Sequence, residues 1–169
     1  MKKLLALFVV VLGFSAVSFG QVSATANATA KIVSPLKIVK VNNLVFGTLA
    51  PSGTIGSVTI ATDGIRTSTL GSIQLIGAAG SFNASSFTVT GETGLAYSIT
   101  LPNNTDVVLS AGIGKTMAVT NFISSPVATA SATLVAGDNP LLVGATIAVD
   151  ATQAIGDYTG TFDVTVNYN

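Results

Sequence analysis

The chain has 169 residues, seven of them cationic and seven anionic, and it has neither cysteine nor histidine. That composition excludes a disulfide framework, the usual zinc and copper donor sets and any nucleophile activated by histidine. Beyond residue 20 the balance is five cations against seven anions, a net charge of −2 with no basic patch for nucleic acid or an anionic bilayer.

Residues 1–20, "MKKLLALFVVVLGFSAVSFG", read as a secretory signal peptide. Lys2 and Lys3 are its basic start and Leu4 to Gly13 its apolar run. Cleavage is expected after Gly20, with Ala16 and Ser18 as an alternative small-residue pair. The apolar run is short for a membrane span, so export is the expectation, to the periplasm, the cell surface or the medium. Roughly 149 residues then remain, enough for one domain with its own core.

"QVSATANATAKIV" (21–33) alternates apolar and polar residues, with Val22, Ala24, Ala26, Ala28, Ala30 and Ile32 on one side. A period of two predicts a half-buried strand, here an N-terminal one over 21–35 that ends at the kink of Ser34-Pro35. The sandwich domain is expected over 36–169. "LKIVKV" (36–41), "NLVFGTLAP" (43–51) and "SVTIA" (57–61) follow, then the Asp63-Gly64 turn. "SIQLIG" (72–77), "SSFTVTG" (85–91), "AYSITL" (96–101), "DVVLS" (106–110), "KTMAVTNF" (115–122), "ATLVAG" (132–137) and "GATIAVD" (144–150) continue the pattern. In the final "GDYTGTFDVTVNYN", Tyr158, Gly160, Phe162, Val164, Val166 and Tyr168 share a face. No stretch keeps a helical period over three turns, and no fixed-length repeat recurs. Charged residues make up 8% of the chain and hydrophobic ones 49%. This predicts an all-β protein, a Greek-key sandwich with a neutral hydroxyl and amide surface.

Chemistry has few places to reside. Glu92, the only glutamate, sits in the turn "GETG", and Asp63, Asp138 and Asp157 also stand in turn contexts, where such side chains bond local backbone. No aspartate run spaced for calcium exists, and the absence of tryptophan argues against the aromatic-walled cleft of a glycosidase. Three Asn-x-Ser/Thr triplets, at Asn27, Asn83 and Asn103, are chance matches in a chain rich in these residues. The reading is a protein that is not an enzyme, with no catalytic, cofactor-binding or metal-binding residues.

Gly156 stands fourteenth from the C-terminus and Tyr168 is penultimate. With the alternating start, these features resemble the pilin subunits of chaperone–usher fibres. More of the chain, through "ATANATAKIVSPLKI" (24–38), "LVFGTLAP" (44–51) and "SFTVTGETGLAYSITLP" (86–102), is similar to a family of small exported bacterial proteins of unknown function. That family is similar in turn to spore-coat-U-like pilins. The resemblance implies an immunoglobulin-like, pilin-like sandwich that lacks its last strand, and as partners other copies or related subunits and a periplasmic chaperone. The cysteine pair of many fibre pilins is absent here.

Ordering a strand costs about 1–2 kcal/mol per residue, which small alanine side chains do not offset alone, so residues 22–33 need a ladder on an open sheet edge. They form the first strand of the domain, fold back in cis, or enter a neighbouring subunit's groove by β-strand addition. For the last case the inserted face is Val22, Ala24, Ala26, Ala28, Ala30 and Ile32, and the receiving edge is Gly156, Val164, Val166 and Tyr168. The expected function is a non-enzymatic exported structural protein, a pilin-like or surface-coat subunit of the kind found in a fimbrium. The alternative is a monomeric secreted binding module that recognises a glycan or a surface through its loops.

Overall fold

The computed structural model describes residues 20–69, 73–78 and 80–169. The signal-peptide reading of residues 1–20 falls, Gly20 apart, outside them. The chain divides into a leading segment that ends at Ile32 and a domain from Val33 to Asn169. Residues 20–32 join no strand and are exposed throughout, with Val22 and Ile32 each 96% accessible. The strand expected at 22–33 is therefore not formed in the single chain. Its alternation supplies an apolar face, but a strand exists only where a ladder satisfies its backbone.

The domain is all-β, and among the described residues there is no helix. Among the described residues twelve strands follow one another: β1 (Lys37–Asn42), β2 (Thr48–Pro51), β3 (Gly56–Ile60), β4 (Arg66–Ser68), β5 (Ile73–Ile76), β6 (Ser85–Thr90), β7 (Ala96–Thr100), β8 (Val107–Ser110), β9 (Thr116–Ser125), β10 (Ala132–Thr133), β11 (Asn139–Val149) and β12 (Thr165–Tyr168). All pairings are antiparallel.

β11 organises the largest sheet. One of its edges pairs with β6 over Asn139–Val143 and then with β3 over Ala145–Val149, while the other pairs with β9. The exchange of partners happens at Gly144, where an added Cβ would strike the carbonyl oxygen of Ile60. Glycine is what lets the two backbones come so close. β1 lies outside β6, β4 outside β3 and β8 outside β9, giving seven strands. Pro140 is tolerated inside β11 because β9 reaches only Leu142, leaving β11 one partner at that level. β9 carries a bulge at Asn121, whose φ of 48° suits asparagine. The Asn104 side chain accepts its N–H at 2.7 Å. The bulge shifts the inward set from Met117 and Val119 to Phe122 and Ser124.

Two smaller sheets cover this one. β10, β7 and β12 form a three-stranded sheet, and β2 pairs with β5. Val89, Leu141 and Val143 meet Tyr97, Ile99 and Leu134 in one buried cluster. Val58, Ile60, Val119, Ala145, Ile147 and Val149 form the other, with Leu49 of β2 and Leu75 of β5 packed on it. Arg66 fastens the β2–β5 pair. Its guanidinium donates to the carbonyls of Phe46 at 3.0 Å and Ile76 at 3.1 Å and lies 4.1 Å over the Phe82 ring.

Candidate functional site

The second cluster is not covered along its whole length. Between the chain that leaves β1, residues 43–51, and the chain that approaches β12, residues 153–162, an apolar groove of about 820 Å³ opens. Its floor is Val107, Met117, Val119, Ile147 and Val149, each no more than 8% accessible. Leu44, Phe46 and Leu49 form one wall, and Ile155, Gly156, Tyr158 and Phe162 the other.

Each wall has a local cause. Val45 exchanges two backbone hydrogen bonds with Asn83, which stops the first wall from closing inward. Thr159 does the same with Ser110 of β8. Residues 160–164 then join no ladder before β12 pairs with β7. Gly160 is required where the chain passes β8, because a Cβ there would meet the Val108 carbonyl oxygen at 2.7 Å. The loop after β11 is pinned by Gln153, whose Nε2 donates to the Thr116 carbonyl at 3.1 Å and to the Tyr158 hydroxyl at 2.6 Å. That hydroxyl donates in turn to the Ala154 carbonyl at 2.7 Å. Polar side chains, among them Lys40, Asn43, Asp157 and Thr161, also line the groove. The Lys40 ammonium donates to the Asn43 side-chain oxygen at 2.8 Å, and Asp157 stands on the opposite wall.

The two walls of the gap share one property. Leu44 and Leu49 on one side, and Tyr158 and Phe162 on the other, turn inward onto the core but are only half-buried. Inward side chains of edge strands stay half-covered when the next strand is missing.

Of the receiving residues expected from sequence, Gly156 lines the groove, whereas Val164, Val166 and Tyr168 lie further along and pack on the Tyr97–Leu141 cluster. Tyr168 has a role of its own. Its hydroxyl accepts the Glu92 N–H at 2.7 Å and donates to the Ser34 carbonyl at 2.8 Å, while the Glu92 carboxylate accepts the Ser34 N–H at 3.2 Å. The start of the domain, the β6–β7 turn and the last strand are thereby tied at one point. Gly91 makes room, since a Cβ there would strike the Tyr168 hydroxyl. Ala24, Ala26, Ala28 and Ala30, with Val22 and Ile32, lie in the exposed leading segment. The groove floor was not singled out from sequence. Its residues read as ordinary inward positions of strands, and only three-dimensional coverage separates a floor from a closed core.

A family whose sequence is described as a domain of unknown function, DUF4402, matches residues 36–168. The chain belongs to the DUF4402 family. No curated protein and no solved structure matches it significantly. The DUF4402 match spans the whole twelve-stranded domain and begins just after the Ser34 tie, so the alternating segment 21–33 lies outside it. Among the described residues of this DUF4402 chain, no helix is long and apolar enough to cross a membrane.

Proposed function

We propose that this DUF4402 protein is a non-enzymatic, exported structural subunit, pilin-like or of a surface coat. In this reading the domain is an immunoglobulin-like Greek-key sandwich short of one strand, and residues 22–33 of one copy complete the groove of another by β-strand addition. The observation that supports it is a pair of matching deficits. The domain has an apolar groove whose walls keep half-covered inward side chains, and the chain carries an alternating segment with a fully exposed apolar face. An added strand satisfies backbone on both partners and fits alternate side chains to the floor. Alanines suit the middle of a strand lying close over a floor of Val119 and Ile147, with Val22 and Ile32 as larger plugs at its ends.

The test compares two chains by size exclusion with light scattering, one starting at Gln21 and one at Val33, which keeps the Ser34 tie. The expected result is a ladder of oligomers from the first and a folded monomer from the second. A stable monomer from the first, with an unfolded second, assigns the segment to its own domain and turns the search to a ligand bound by the loops.

A further inference from the structure

We propose that the groove end of the domain is the seat for the body of the next copy, with Ile55, Ile113 and Ile155 as its apolar contacts; this rests on the strand-addition reading above. Three separate loops bring these residues to one end. Val149 at the end of β11 pairs with Gly56 at the start of β3, which places the turn holding Ile55 beside the loop after β11. Gln153 in that loop bonds Thr116 at the start of β9, and the Lys115 ammonium donates to the Ile155 carbonyl at 3.1 Å. The β8–β9 turn with Ile113 is therefore at the same end.

The three isoleucines are 73%, 105% and 94% accessible. Local geometry does not ask for them. The β8–β9 turn is made by Gly112 and Gly114 at positive φ, and the residue between them is free to be polar. Scattered exposed apolar residues need no explanation, but a group of large ones on neighbouring loops marks a contact surface. This group is also continuous with the groove, because Ile155 lines its mouth.

The occupant follows from direction. The leading segment joins the domain at Ser34, at the end held by Glu92 and Tyr168, and β1 runs from there toward the groove. A donor that enters with its residue 33 at the groove end brings its own Ser34 end against the isoleucines. It then lies parallel to β1 and antiparallel to β12, and the arrangement repeats without limit as a heterologous contact. The opposite insertion would place the donor's body where the receiver's own leading segment departs, which gives closed pairs. The Ser34 end offers an apolar counterpart in Val135, 60% accessible, whose N–H is held by Asn139 at the start of β11. The charges at the groove end are Asp150, Asp157, Lys115 and, on the groove rim, Lys40, two of each sign, and the lysines already serve the Ile155 carbonyl and the Asn43 side chain. That balance does not favour an anionic bilayer as the occupant.

The test uses the chain from Gln21 carrying Ile55→Ser and Ile113→Ser together, leaving Ile155 in place because it also lines the groove. The single Ile113→Ser change is a milder version, and Ile65→Ser with Ile123→Ser is a control that removes exposed isoleucines elsewhere. Three readouts are taken: oligomer mass against concentration, binding of a synthetic 21–33 peptide to chains whose own segment carries Ala26→Asp, and sedimentation with vesicles of three parts phosphatidylcholine to one of phosphatidylglycerol. The double variant at the groove end should need at least about tenfold more protein to reach the same oligomer mass, with peptide affinity within twofold and the control unchanged. Ile113→Ser should give part of that loss. Peptide binding with undiminished oligomers in both variants overturns the seat alone. Absence of peptide binding to any chain overturns the strand-addition reading and the seat with it. Loss of vesicle sedimentation with oligomers intact makes the occupant a membrane and overturns the seat.

Discussion

Single residues decide where this domain is closed. Tyr168 joins the Ser34 carbonyl and the Glu92 amide through one hydroxyl, so Tyr168→Phe should cost about 1–2 kcal/mol of stability in urea unfolding, as two half-exposed groups lose a partner. Gly144→Ala should cost about 1–3 kcal/mol or prevent folding, because the methyl would meet the Ile60 carbonyl between paired strands. Tyr97 is buried, and burial raises its hydroxyl above the ordinary tyrosine value by disfavouring the phenolate. Its contribution is complete below the unfolded tyrosine value of about 10 and declines as pH rises through the folded one. Thermal unfolding followed from pH 8 to 12 should show that decline, and Tyr97→Phe should reduce it.

At the scale of elements, the β2–β5 pair stands apart from the larger sheet and depends on Arg66 reaching the carbonyls of Phe46 and Ile76. Arg66→Met should lower stability by about 1–3 kcal/mol, and amide exchange should quicken first at Thr48–Pro51 and Ile73–Ile76. The strands that alternate cleanly, such as β3, β6, β7 and β8, were legible in the sequence because one face of each is buried. β4 was not, since "RTS" is too short and polar to show a period. The first half of β11 was hidden by Pro140, which reads as a breaker unless the partner's end at Leu142 is known. The same limit applied to the site. Alternation over 158–168 revealed which side chains face inward, but not that coverage fails beside Tyr158 and Phe162 and resumes beside Val166. That boundary depends on Thr159 pairing with β8 and Thr165 with β7, which are contacts distant in sequence.

For the whole molecule, a groove and an unpaired apolar segment in one chain are two exposed surfaces, each of which would be a liability in a protein that stays alone. Ala26→Asp should separate assembly from folding. A carboxylate facing the groove floor would block assembly by strand addition, while the domain, which begins at Val33, should melt as before. Light scattering and a thermal melt on the same sample check both halves.

The tie at Ser34 has a mechanical side. β1 is an edge strand, and tension applied to residue 33 could peel it from β6 one hydrogen bond at a time. Because Ser34 is held by Glu92 and by Tyr168, the load instead enters the β6–β7 turn and the last strand together with β1. The strands are then stressed in parallel, and the domain yields only after that small knot of hydrogen bonds gives way.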